Sequence, residues 1–209
     1  MDKMAVQSTK DKLLDAAVNL FSEKGYDGTS VDEIAASIGI KGPTLYKHFK
    51  GKEALLTAIM ERTDSEYEKG MGIRTQKALE IHSGEALKAF SMHQILFTLN
   101  NENVRKMRRL FTIEQYRNAG FAKRATRHQI RNMQEQFIQV FERMMDAGEM
   151  RREDPEMLAL EYIAPTTLMI QMCDREPEKM EEGIGIIEKH IDMFVEKYCY
   201  PVKGEKTPD

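Results

Sequence analysis

A chain of 209 residues with ordinary apolar content is long enough for a real core, arranged as one compact body or as a small domain with a larger one. Its formal net charge of −3 excludes a protein that coats nucleic acid through bulk positive charge, so any such contact must come from a local basic patch. The two cysteines, Cys173 and Cys199, lie far apart, which excludes a disulfide scaffold and suits a reducing cytoplasm.

No signal pattern is visible in the polar stretch Met1 to Asp11, and no apolar run is long enough to span a membrane. Strand-like alternation is scarce, so the chain is expected to be all-α. The first helix starts near Ser8 or Thr9, buries Leu13, Leu14, Ala17, Leu20 and Phe21, and ends at Gly25.

Next comes Thr29 to Lys52, which reads as two short helices joined by a tight turn. Thr29 and Ser30 supply a hydroxyl cap, and Asp32 and Glu33 place acids in the first turn. Val31, Ile34, Ala35 and Ile38 share one face, and Gly39 follows where a helix turns left-handed. Pro43 is tolerated at the first turn of the second helix, which spans about Lys41 to Phe49. Leu45 and Phe49 anchor its back. Lys41, Pro43, Thr44, Lys47 and His48 lie around its front, Tyr46 at its edge, and Lys50 and Lys52 just after. An apolar back and a basic, hydroxyl-bearing front suit a helix that reads the major groove. The bland alternative is a helical hairpin with a solvated polar face.

A fourth helix starts near Gly51, carries Leu55, Leu56, Ile59 and Met60, and becomes polar toward Tyr67. Gly70 and Gly72 mark an expected break, and Ile73 to His82 is ambiguous. Ser83 caps a helix with Leu87, Phe90, Gln94 and Phe97, which Asn100, Asn101 and Asn103 end. Another helix carries Val104, Met107, Leu110, Phe111 and Glu114. Its outer Arg105, Lys106, Arg108 and Arg109 suit a solvated or salt-bridged face better than a second DNA contact. After Asn118-Ala119-Gly120, a long helix is expected from about Lys123 to Met145, with Ile130, Met133, Phe137, Val140, Phe141 and Met144 on one face. Asp154-Pro155-Glu156 starts a helix through Met172 that Pro165 should kink, and Pro177 opens the last helix. The tail from Pro201 is polar and expected to be loose.

The first third of the chain resembles the N-terminal domain of the TetR family of transcriptional regulators. The matching residues run from Leu13, Leu14, Ala16, Ala17, Leu20, Phe21, Gly25 and Tyr26 through Thr29, Ser30, Ile34, Ala35 and Gly39. They continue to Thr44, Leu45, Tyr46, His48, Phe49, Lys52, Glu53 and Leu55. Lys41 and Pro43 depart from the usual pattern, which bears on base preference. The resemblance implies a DNA-binding domain over residues 1–66 and a helical ligand-binding and dimerisation domain over 67–209.

On that basis the expected function is a homodimeric, ligand-responsive regulator, usually a repressor, on double-stranded DNA with a palindromic operator. DNA contacts are expected from Ser30, Lys41, Gly42, Pro43, Thr44, Tyr46, Lys47, His48 and Lys52. The last two helices should pair with those of a second subunit, with Ile184, Ile187, Ile191, Phe194 and Tyr198 at the interface. Gly183 and Gly185 would allow close approach there or merely weaken the helix start. A partly apolar small-molecule effector is expected among Phe90, His93, Phe97, Phe111, Tyr116, Phe137, Tyr162, Thr166 and Met169, although Met and Phe at helical spacing are more often core. No cofactor, metal site or catalytic set is expected. The histidines, His48, His82, His93, His128 and His190, form no ligand cluster, and no nucleophile or phosphate-loop motif occurs. Two alternatives stand beside this reading: a DNA-binding dimer without a small-molecule effector, and a helical small-molecule binder that no longer binds DNA.

Overall fold

Ser8 starts the first helix because its hydroxyl accepts the Asp11 amide at 3.1 Å and so satisfies one donor of the open first turn. The computed structural model describes residues 7–71 and 80–201, and among these the regular elements are all helical. The first four are α1 (Thr9–Lys24), α2 (Val31–Ser37), α3 (Gly42–Tyr46) and α4 (Lys52–Met71). After the undescribed residues come α5 (Gly84–Asn100), α6 (Glu102–Glu114), α7 (Ala119–Thr126), α8 (Asn132–Asp146), α9 (Pro155–Arg175) and α10 (Met180–Tyr198).

Expected boundaries meet observed ones where capping chemistry is strong. Ser83 accepts the Ala86 amide at 3.1 Å, and Asp154 accepts the amides of Glu156 and Met157. The break expected at Gly70 and Gly72 falls at the edge of the described residues: α4 is described to Met71, and Gly72 lies outside them. One expectation fails. The long helix expected from Lys123 starts at Ala119 and is interrupted by a π turn at Arg127–Arg131 before α8. Pro165 lies inside α9, which runs unbroken through it. The ambiguous stretch and the tail fall largely outside the described residues.

The chain forms two compact units. The first holds the residues up to Tyr67 together with Glu102–Ala122. Leu13, Ala17, Phe21, Ile34, Leu45, Leu55 and Ile59 are fully buried in it. The apolar stripe of α6 (Val104, Met107, Leu110, Phe111) is buried, and α6 packs on α1. Each buried Leu, Ile or Phe contributes about 1.5–3 kcal/mol, so burial of these side chains is a main source of stability for a small helical unit. On the outside of α6, Lys106 pairs with Glu102, as a salt-bridged face requires.

The second unit holds Glu68–Asn101 and the residues from Lys123 onward. Here α9 packs against both α8 and α10, and α10 also contacts α5. Tyr162 sits at the centre, with ring centroids 4.7 Å from Phe137, 5.4 Å from Phe141 and 4.6 Å from Phe194. A Cβ on Gly183 would stand 2.5 Å from Cys173 Sγ, so this glycine serves the approach of α10 to α9 within one chain. Open space surrounds Gly185. Beyond α10, Tyr200 donates to the Glu149 carbonyl and Arg151 to the Tyr198 carbonyl, both at 2.8 Å, which ties the end of α10 to the α8–α9 connection.

Candidate nucleic-acid interface

In the α2–α3 hairpin, α2 ends in a two-bond clasp. The Ile40 amide donates to the Ala35 carbonyl and the Gly39 amide to the Ala36 carbonyl, both at 3.0 Å, with Gly39 at φ 75°. This is the Schellman arrangement, and a left-handed residue is what allows it. It turns the chain sharply into α3, where Pro43 costs no hydrogen bond. Leu45 is fully buried and Phe49 nearly so, whereas Lys41, Pro43, Tyr46, Lys47 and His48 are exposed and Thr44 is half-buried. The front of α3 is therefore free while its back is fixed, although the helix is shorter than the sequence suggests and ends at Tyr46.

Three expected contacts carry structural duties as well. The Ser30 hydroxyl accepts the Glu33 amide at 3.1 Å and caps α2. Gly42 is buried because Asp32 Oδ1 occupies the space a Cβ would need, so its role is intramolecular packing. Lys52 donates from Nζ to the carbonyls of Tyr26 at 2.7 Å and Thr29 at 3.1 Å, and lies over the Tyr26 ring at 4.4 Å. An open concavity beside the start of α4 is lined by Lys10, His48, Lys50 and Lys52 together with Glu53 and Glu61. The sequence reading missed Lys10, whose ammonium lies 5.8 Å from the Phe49 ring centre, because only tertiary packing brings α1 there.

The expected effector residues are divided between the two units. Phe111 and Tyr116 belong to the first unit, and Tyr116 is 90% exposed. In the second unit His93 is exposed, Phe137 and Tyr162 are core, and Phe90, Phe97, Thr166 and Met169 are half-buried. The Tyr162 hydroxyl is 2.7 Å from Ser91 Oγ, so its polar group is already partnered. Gln94, on the apolar stripe of α5 with Leu87, is 2% exposed and neither amide atom has a partner.

The expected dimer contacts need a correction. Ile187 and Ile191 are fully buried, Phe194 and Tyr198 nearly so, and Ile184 packs half-buried against the same core. Side chains with no surface in the single chain have none to give a partner. The apolar side chains left exposed are instead Met157, Leu160 and Leu168 on α9 and Ile186 and Met193 on α10. Both helices are apolar on two faces, and the expected contacts lie on the inner face of α10, where of the five only Ile184 keeps partial exposure.

Fold and hairpin together define a helix-turn-helix protein joined to a larger helical unit. Residues 13–59 match the family described as "Bacterial regulatory proteins, tetR family", and residues 85–200 match "AefR-like transcriptional repressor, C-terminal domain". The chain belongs to the TetR family of transcriptional regulators, with a C-terminal region of the AefR-like repressor type.

The negative regulator of the icaADBC biofilm operon, IcaR, is 56% identical over 46 residues in Staphylococcus aureus strain Newman, or 22% of this chain and 25% of that protein. IcaR of Staphylococcus epidermidis is 50% identical over 52 residues, 25% of this chain and 28% of that protein. The matches thus span about a quarter of these curated relatives. Across nearly the whole chain the fold is similar to SmeT, repressor of the Stenotrophomonas maltophilia multidrug efflux pump SmeDEF. The TM-score is 0.70 at 24% identity, covering 97% of this chain and 98% of that one. The SmeT–triclosan complex gives 0.72 at 23%, covering 97% and 100%. The flavonoid-responsive regulator FrrA gives 0.66 at 22%, covering 91% and 96%. No described helix is long and apolar enough to cross a membrane.

Proposed function

We propose that this protein is a cytoplasmic homodimeric repressor that holds a palindromic operator and releases it when a small, partly apolar molecule occupies the second unit. The observation that carries the reading is the free front of α3: Lys41, Pro43 and Lys47 stand clear beside a half-buried Thr44, over a buried Leu45. Lys41 and Thr44 are assigned to base edges. His48, Tyr46, Lys50 and Lys52, with Lys10, are assigned to phosphates, and Lys47 serves either. Residues 1–66 carry the DNA contacts, and 67–209 carry ligand binding and dimerisation.

The subunits pair through the outer faces of α9 and α10, where Met157, Leu160, Leu168, Ile186 and Met193 expose apolar surface that a partner would cover. Two-fold symmetry then gives an operator with two half-sites. Triclosan on SmeT and the flavonoid response of FrrA support a small-molecule signal. Such a signal works only through tighter binding to the state whose reading helices are wrongly placed for the operator. Regulation without a small molecule is the second reading. It is favoured by the burial of Phe137 and Tyr162, which leaves part of the expected pocket filled.

The test is selection of bound DNA from a random pool at about 0.15 M salt, close to physiological screening, followed by addition of triclosan or a flavonoid. Enrichment of a palindrome supports the dimeric repressor, and recovery of no preferred sequence removes it. Release by either molecule favours the effector reading over the second one.

A further inference from the structure

Tyr26, in the turn between α1 and α2, is held on every side by other parts of the first unit. Its backbone amide donates to Glu114 Oε1 at 2.8 Å, across 88 residues of chain. Its carbonyl accepts from Lys52 at 2.7 Å, and its hydroxyl donates to Glu53 Oε2 at 2.9 Å. Its ring lies 5.3 Å from Phe21 of α1 and 5.5 Å from Phe121 of α7, centre to centre. The same turn leads through Thr29, whose hydroxyl donates to the Gly25 carbonyl at 2.9 Å, into the capped start of α2.

Glu114 is the costly member of this set. It is the last residue of α6, on the buried stripe with Val104, Met107, Leu110 and Phe111, and is 1% exposed. Its second oxygen, Oε2, has no hydrogen-bond partner. A carboxylate buried with one oxygen unpaired works against stability, so the fold alone does not account for it. The chain is shaped around it: a Cβ on Gly25, at φ 80°, would stand 2.5 Å from Glu114 Oε1. The carboxylate reaches the Tyr26 amide only because no side chain stands there.

We propose that Glu114 is a positioning residue for DNA recognition: from the end of α6 its carboxylate fixes the Tyr26 turn, and through Tyr26 it fixes the start of α4 beside the reading helix. Lys52 and Glu53 begin α4 and hold the other two polar atoms of Tyr26, and Lys52 also lines the concavity below His48. A shift of the α6 end therefore changes the placement of α2 and of the α4 start, the phosphate-assigned Lys52 included, without touching Lys41 or Thr44, the residues assigned to base edges. This rests on the DNA-binding reading of α3.

The test compares Glu114→Leu, which removes the acceptor at similar volume, with Glu114→Gln, which keeps an acceptor oxygen. Affinities are measured on the selected operator and on random duplex, and Tyr26 amide hydrogen exchange is measured on the free protein by NMR. In Glu114→Leu the Tyr26 amide is expected to exchange faster. Operator affinity should fall about ten- to hundredfold, the scale of one lost hydrogen bond to a charged group. Random-duplex affinity should fall less than operator affinity, and Glu114→Gln should recover most of the operator affinity. A Leu variant that binds operator like the parent overturns the proposal. So does equal loss on operator and random duplex together with lost helicity, which marks a purely structural role. If the unmodified protein selects no operator, the DNA-binding reading falls and the positioning role with it. The amide exchange then still reports separately whether Glu114 holds the Tyr26 turn.

Discussion

Ser91 Oγ and the Tyr162 hydroxyl lie 2.7 Å apart in the buried centre of the second unit, joining α5 to α9 across 71 residues. Burial drives the phenol well above its ordinary range, so it stays neutral and hydrogen-bonded at any working pH. Tyr162→Phe strands the serine hydroxyl and Ser91→Ala strands the phenol. Each is expected to cost about 1–3 kcal/mol in urea unfolding. The double variant removes both groups and should cost less than the two single changes together. Strict additivity would mean that the two hydroxyls do not act as a pair.

Met193 and Ile187 test the two faces of α10 against each other. Met193 is 69% exposed and Ile187 fully buried. Met193→Glu should convert dimer to monomer in sedimentation while helicity is retained. Ile187→Ala should lower stability by about 2–4 kcal/mol through cavity formation and leave the assembled state of the folded fraction unchanged. Loss of the dimer by Ile187→Ala alone would put the interface back on the inner face.

On the reading helix, Thr44→Ala should relax preference at one operator position at a cost of roughly 1–3 kcal/mol, with random DNA bound as before. Lys47→Ala with Lys50→Ala should weaken binding to all sequences. It should also reduce the salt slope by about 0.9 for each phosphate that is no longer neutralised. Competition binding across single-base operator variants, repeated at several salt concentrations, separates the two effects.

Cys199 titrates late. Burial, and secondarily the charge of Glu149, raise its thiol from 9.0 to about 11. The folded chain therefore holds this proton more tightly than the unfolded chain does. The resulting stability is complete below pH 9 and is lost as pH rises through about 11. Urea midpoints should fall across that window, and Cys199→Ala should flatten the fall. At pH 8 the native thiol should react slowly with a disulfide reagent and rapidly once unfolded.

How far the sequence is legible depends on where the deciding force is local. Ser8, Ser30, Ser83 and Asp154 announce helix starts through caps that involve residues two or three positions away. The Gly39 turn and the Pro43 start are equally local, so the α2–α3 hairpin can be read directly. Ile187 against Met193 cannot be decided this way, because a helix apolar on two faces does not say which one meets its own core. Lys52 and Gly42 also have intramolecular partners, Tyr26 and Asp32, which only folding brings to them and which their own neighbourhood in the chain does not show. Glu114 did leave a signal: a carboxylate at the end of an otherwise apolar stripe. Its partner, a backbone amide 88 residues earlier, left none.

The unpaired amide of Gln94 has a consequence for thermal stability. A leucine of similar size there would discard two stranded polar atoms and gain apolar contact, and such exchanges are neutral or favourable by up to a few kcal/mol. Gln94→Leu is thus expected to raise the melting temperature, and a lower one would show that the amide is satisfied in solution. Position 94 is a place where the interior of the second unit carries polarity that its packing does not use.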